Sequence, residues 1–410
     1  MKVLYIVGSC LYNNTSANMS HNAYVQGLLE NGCSVDIIMP NSSFGERDKN
    51  LKKFEEATYY EYNSIANIEK LRDKFKKFFD KEDIPKNTSN KSTNMEIENN
   101  ENNSFKMQIR NIIKKVYNKI LIGDDPYYLN KEWLKQASRF KNNDEYDIVI
   151  SNSSPAASHK LAEILIRKNN IKTKRWIQIW EDPWYYDIYG NDNIKIFKEE
   201  NELLKAADEV YYVSPLTLLY QSEYFKDYSH KMKFIPLPYF KTEQETIDIC
   251  GDVSFGYFGD YYSNTRNLKP FYDALLDTKS KGYIYGDTDL ELKSTDKIKI
   301  SGRVTLDILD KVQKNTNVLV SLCNLKGGQI PGKIYHYSAT KKPIIFILDG
   351  TEKEKTQIKK YFEKYNRYYF CENNVESISQ VINLFSNKKL PLEEDILMDF
   401  CPRNIIKQLL

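Results

Sequence analysis

Gly327-Gly328-Gln329-Ile330-Pro331-Gly332-Lys333-Ile334-Tyr335-His336-Tyr337 joins an apolar run, Val318–Leu322, to a helical pattern, and its reading decides the class of fold. Paired glycines let a backbone approach a ligand closely, and Pro331 pre-sets the chain for a helix start. The helix N-terminus carries partial positive charge, to which Lys333 adds a full one. Glycines and a lysine at the carboxyl end of a strand are the pattern of a ligand site in an open parallel sheet. A glycine-rich loop opening a plain helix would share that pattern, so the surroundings have to decide.

Outward from this segment, short apolar runs and helical patterns alternate. Strands are expected at residues 253–258, 283–285, 298–300, 318–322, 343–348 and 368–370, with helices over 268–278, 307–314 and 332–340. An earlier series reads 3–7, 35–39, 147–150, 175–180, 209–213 and 233–235. These runs are mostly rich in Val and Ile and continuous rather than alternating, as strands covered by helices on both faces should be. Together they exceed the roughly 10 strands that an open sheet carries without splitting. The expectation is therefore α/β, with two Rossmann-like parallel-sheet domains facing a central cleft. Residues 1–240 would form the first and 251–386 the second, with the polar stretch 240–251 as linker. Residues 387–410 would end in a helix crossing back to the first domain.

Bulk properties remove several functions. A length of 410 residues with 41% hydrophobic and 28% charged content is that of a globular chain of two or three domains. Fifty-nine Lys and Arg against 56 Asp and Glu leave +3, which gives no case for nucleic acid as the main partner. The six cysteines (10, 33, 250, 323, 371, 401) form no CxxC pair and read as thiols of a reducing compartment. The four histidines (21, 159, 230, 336) are equally scattered, so no zinc site is expected. MKVLYIVG at residues 1–8 is too short for a signal peptide, and no run approaches the ~20 apolar residues that span a bilayer. A cytoplasmic protein is expected, with any membrane contact peripheral.

One region breaks the rhythm. Residues 86–104 are too polar to order themselves and read as a mobile insertion in the first domain. It lies between two basic amphipathic stripes. Ile65, Ile68, Leu71, Phe75 and Phe78 share one helical face, and Phe105, Ile109, Ile112, Val116 and Ile120 another; each has lysines and an arginine around it. Such stripes either dock on a core or lie on an anionic membrane surface, and both readings stand.

The first strand is followed by Gly8-Ser9-Cys10 and not by the three-glycine fingerprint of a nicotinamide or flavin site. A phosphate-binding P-loop and a nucleophile elbow are also missing. Instead the loop 8–20 is long and rich in small residues, with Thr15 and Ser16 poised to meet a hydroxylated ligand at a helix start.

Residues 329–345 (QIPGKIYHYSATKKPII) resemble the donor-site segment of bacterial GT-B glycosyltransferases, close to the family-4-type enzymes of capsule, lipopolysaccharide and exopolysaccharide synthesis. Residues 255–266 (FGYFGDYYSNTR) are similar to the first strand and phosphate loop of the donor domain, and Ser301-Gly302-Arg303-Val304 to the base-contacting loop. In the first half, 146–159 (YDIVISNSSPAASH), 176–184 (WIQIWEDPW) and 206–215 (AADEVYYVSP) resemble family segments in the same order. Only residues 86–104 fall outside. Retaining members carry a Glu-x7-Glu pair, which reads here as Gly328 and His336.

The resemblance implies a nucleotide-sugar donor held by Arg266, Lys333, Gly259, Gly302, Arg303, Gly328, Gln329 and His336. The sugar contact would pass to backbone N–H groups near Gly328, and His336 would replace a carboxylate toward the ribose. Glu181 and Asp182, leaving the carboxyl end of strand 175–180, are the candidate catalytic acids, as general base or as acceptor-orienting groups. Trp180 and Trp184 flank them and suit stacking on an acceptor sugar, beside Thr15 and Ser16. Arg266 offers a bidentate fork to phosphate and Lys333 a point charge, so no metal or other cofactor is expected. The expected partners are a nucleotide-sugar donor, a saccharide or lipid-linked acceptor, and an anionic membrane surface. A sugar-nucleotide epimerase of the same architecture is the alternative activity. A sugar-binding subunit without activity is the alternative from another class.

Overall fold

The computed structural model describes residues 1–13, 15–41, 51, 53–64, 125–187, 192–240 and 252–410. The insertion at 86–104, both amphipathic stripes and the linker after Phe240 lie outside the described residues.

The first sheet consists of β1 (Lys2–Val7), β2 (Ser34–Pro40), β3 (Ala57–Tyr62), β4 (Ile148–Ser153), β5 (Trp176–Trp180), β6 (Glu209–Tyr212) and β7 (Met232–Phe234). Its spatial order is β3-β2-β1-β4-β5-β6-β7, parallel throughout, with Val3 opposite both Val35 and Ile148. The second sheet consists of β8 (Ser254–Phe258), β9 (Lys281–Tyr285), β10 (Ile298–Ser301), β11 (Val318–Leu322), β12 (Ile344–Leu348) and β13 (Tyr368–Glu372). It runs β10-β9-β8-β11-β12-β13, again all parallel. Strand order reverses between β1 and β4 in one sheet and between β8 and β11 in the other. A ligand crevice opens at the carboxyl ends beside such a reversal.

Within these two sheets, β3 is the strand the sequence reading missed. Its residues, ATYYEY, lie half-exposed at the sheet edge, so they lack the continuous apolar run that marks a strand covered on both faces. The helix expected over 332–340 is also shorter, Lys333–Tyr337, because the Ser338 and Thr340 hydroxyls bond back to the carbonyls of Ile334 and Tyr337 just before Pro343.

Helix starts follow local chemistry. Thr15 accepts the Asn18 N–H at 3.1 Å to open α1 (Ser16–Glu30), and Ser214 caps α2 (Pro215–Tyr224) with proline in its first turn. One apolar cluster takes in Val3, Tyr24 and Leu28 of the first sheet and its helix, Leu319 and Tyr335 of the second, and Phe400 and Ile405 near the C-terminus. The interface between sheets is therefore core-like. Arg367 ties the returning chain down through the carbonyls of Thr340, Lys342 and Asp395. The last helix, α3 (Pro402–Lys407), then packs on α1, where Asn31 Nδ2 donates to Arg403 O at 2.9 Å. Among the described residues no helix is long and apolar enough to cross a membrane.

That docking depends on Gly27, where a Cβ would lie 2.4 Å from Pro402 O. Gly27→Ala must push α3 off α1 and should destabilise the chain by about 1–3 kcal/mol, the usual cost of overpacking. Denaturant titration should show an earlier midpoint, and an unchanged one would mean that α3 yields freely.

Candidate active site

The two strand-order reversals open onto one cleft of about 450 Å³. From the first domain it is lined by Ser153 at the end of β4, Ser154 after it, and Asp182, Trp184 and Asp187 after β5. Arg266, Asn324, Gln329 and Gly332 face them from the second domain.

Arg266 is held by neutral groups. Its Nε donates to Asn324 Oδ1 at 2.7 Å, and its Nη1 reaches Asp260 O at 3.3 Å. Asn324 Nδ2 donates to Gln329 O at 3.0 Å, so this one amide aligns the arginine with the glycine-rich loop. Lys333 stands in the first turn of its helix, with its stem over Gly259, where a Cβ would lie 3.8 Å from Lys333 Cε. Burial pushes its ammonium down to about 8; Asp260 pulls it up, while Arg266 and Arg303 press it lower.

Arg303 is placed differently. Its fork grips the Asp260 carboxylate, and its Nε lies 3.4 Å from Asp287 Oδ2, beside Gly302 at the end of β10. Burial raises the Asp260 pKa, but the Arg303 fork, the Asp287 N–H and Arg266 together outweigh it and the net shift is downward. His336 is driven to about 4 by burial and by Lys333. It is therefore a neutral imidazole near neutral pH, able to donate and to accept, unlike the carboxylate it would replace.

On the first-domain side the acids part ways. Asp182 faces the cleft and accepts a hydrogen bond from Gln329 Nε2 across it. The protein around it raises its pKa; the Gln329 amide and Arg266 oppose that shift, and Asp187 adds to it. Glu181 does not line the cleft. Its side chain is 9% exposed and turns down onto α1, with Oε1 3.2 Å from His21 Nε2. Burial raises its pKa while His21 counteracts, and Ser9 Oγ lies 3.3 Å from the other ring nitrogen. Of the two acids expected at the site, only Asp182 lines the cleft, because consecutive residues leaving a strand point to opposite sides.

Two further expectations change. Trp180 touches the cleft, but its ring is buried against His159, centroids 4.2 Å apart, with Nε1 bonded to Gln178, so no face is open for a sugar. Gly328 is buried against the first domain. A Cβ there would lie 2.6 Å from Thr217 N, and its carbonyl takes the Ser214 hydroxyl. The glycine is demanded by helix contact, not by a donor sugar. Trp184 remains at the cleft wall, 5.2 Å from the Tyr127 ring. Thr15 spends its oxygen on the helix cap, while Ser16 Oγ comes within 3.9 Å of a Cβ on Gly332. Sequence reasoning passed over Asn324, Asp260, Ser153 and Asp187. The first three stand at strand ends beside a reversal, which is the signal that would have found them.

No family model matches the chain, and no curated protein matches its sequence. Solved structures do match over its whole length. TarM is 12% identical, with TM-score 0.57 over 100% of this chain and 97% of its own. Anabaena HepE, solved in complex with UDP, is 10% identical, with TM-score 0.53 over 100% and 94%. A glycosyltransferase from Rickettsia africae is 18% identical, with TM-score 0.51 over 99% and 93%. The chain has the fold of the bacterial GT-B glycosyltransferases.

If the cations bind a diphosphate, Arg266→Ala should weaken binding of UDP by about 1.5–3 kcal/mol, the worth of a charge-assisted contact. Lys333 loses its proton as pH rises through about 8, so wild-type affinity for UDP should fall across that range. Lys333→Met should flatten the profile, as calorimetry between pH 6.5 and 9 would show.

Proposed function

We propose that this chain transfers a sugar from a nucleoside-diphosphate sugar to a hydroxyl of a saccharide acceptor, lipid-linked or part of a growing surface polysaccharide. What carries the reading is the arrangement of the cleft: Arg266 on one wall, with Lys333 directly after the lining residue Gly332, and the Asp182 carboxylate on the other wall, each beside the carboxyl end of a parallel sheet. The HepE protein of similar fold was solved with UDP, and also with UDP and glucose, which makes a uridine donor the first to try.

The donor diphosphate would lie on Arg266 and Lys333, whose charges stabilise it as the bond to the anomeric carbon breaks. The acceptor oxygen would form the new bond to that carbon and pass its proton to Asp182. A raised pKa makes this carboxylate a better base than an unperturbed aspartate. His336 and Gln329 would contact the ribose and sugar through neutral hydrogen bonds. With two cations on the leaving group we assign no metal to the step, and chelator should leave turnover unchanged. The five described cysteines are buried thiols outside any disulfide, in keeping with action in the reducing cytoplasm.

Asp182→Asn should keep UDP affinity and lower turnover roughly 10²–10⁴-fold, the range for a lost general base. The assay incubates purified protein with a panel of nucleotide sugars, with and without membrane extract, and follows nucleotide release. Isomerised donor without release, or binding without turnover, would overturn the reading. Wild-type turnover in Asp182→Asn would move the base elsewhere.

A further inference from the structure

The loop after β5 carries more than Asp182. Between the cleft-lining Trp184 and Asp187 stand Tyr185 and Tyr186, and they are held with unusual firmness. Tyr185 is clamped at both ends of its peptide frame. Its N–H donates to Glu200 Oε2 at 2.6 Å, and its carbonyl accepts from Gln221 Nε2 at 2.9 Å. Glu200 and Gln221 are both buried, so the clamp is shielded from water. The Tyr185 ring meets Phe197, Tyr224 and Phe225 edge-on, with centroids 5.0, 5.5 and 6.1 Å away.

On this base Tyr186 adopts φ 59°, a left-handed conformation that a residue with a Cβ holds only where its surroundings over-determine it. The result is a ring 48% exposed beside Tyr224, itself 37% exposed, with centroids 5.2 Å apart and planes 36° from parallel. Two large rings presented to water on a rigid support, one of them next in the chain to the cleft-lining Asp187, form a platform that no described residue covers.

Pyranose rings offer apolar C–H faces that stack on such rings, and hydroxyl edges that donate to carboxylates. Asp187 follows Tyr186 in the chain and Glu223 precedes Tyr224. Carboxylates suit sugar hydroxyls and repel an anionic lipid surface, which cations would attract. We infer that Tyr186 and Tyr224 form an outer saccharide subsite, stacking a sugar unit beyond the one that accepts transfer. The acceptor is then an oligosaccharide rather than a single sugar. This rests on the glycosyl-transfer reading above.

The test uses the full chain, UDP as donor probe, and glucose, galactose, mannose and N-acetylglucosamine, each as monosaccharide and linear tetrasaccharide. Binding is read by saturation-transfer NMR and calorimetry. At least one tetrasaccharide should bind about tenfold or more tighter than its monosaccharide, the worth of one or two good stacking contacts. Tyr186→Ala with Tyr224→Ala should erase that difference and leave UDP affinity unchanged, while Tyr186→Phe should keep it. Equal tetrasaccharide binding by wild type and double variant overturns the subsite. So does failure of every tetrasaccharide on a chain that binds UDP, or a double variant that loses only binding to anionic vesicles. A chain that binds neither UDP nor saccharide removes the glycosyl-transfer reading itself.

Discussion

The cleft depends on a contact with no room for a side chain: the Gly328 carbonyl takes the Ser214 hydroxyl where the glycine-rich loop meets the first turn of α2. Any Cβ at 328 would strike the backbone of Leu216 and Thr217. With that contact made, Gln329 comes to Asp182 and Gly332 to Ser16, so both walls of the cleft are set by one seat. Tyr335 adds its hydroxyl to Val213 O at 3.4 Å, and Tyr220 reaches Glu354 at 3.2 Å. The continuous apolar cluster beneath makes this seat costly to open.

Three cations stand near one another in the second domain, and their partners decide how much charge each leaves unbalanced. Arg303 is balanced by Asp260 and Asp287, so little of its charge is left to attract a diphosphate. Arg266 is oriented by an amide and a carbonyl, which fix its plane without neutralising it. Lys333 is kept close to titration by burial, and an arriving diphosphate would restore its proton. The wall is thus electropositive where Arg266 and Lys333 meet and nearly neutral at Arg303. The opposite wall holds Asp182 and Asp187, whose mutual repulsion helps keep the Asp182 proton affinity high.

Much of this was legible before any coordinates. Continuous runs such as VLVSL at β11 and IIFIL at β12 announce strands covered on both faces, and their alternation with helices announces parallel sheets. Asp182 was named from its place at a strand end, and Arg266, Lys333 and Gln329 from the resemblance; Arg266, Gln329 and Asp182 line one cleft, and Lys333 follows its lining residue Gly332. The edge strand β3 escaped because half-exposed tyrosines carry no burial signal. Trp180 was misjudged although strand alternation held the answer: Trp176 and Trp180 share one face and one core cluster, and Ile177 and Ile179 the other.

By itself, then, the sequence determined the fold class, the two-sheet division and the strand ends at which chemistry can occur, because those follow from apolar periodicity and turn residues within a few positions. Only the tertiary structure decided which of Glu181 and Asp182 faces the cleft, why residue 328 must be glycine, and that Asn324 aligns Arg266. The partners concerned are His21, Gln329, Thr217 and Arg266 itself. Asp182 and Gln329, for example, are separated by 147 positions in the chain. A contact at that range leaves no local pattern to read; it exists only once both sheets have packed on their shared core.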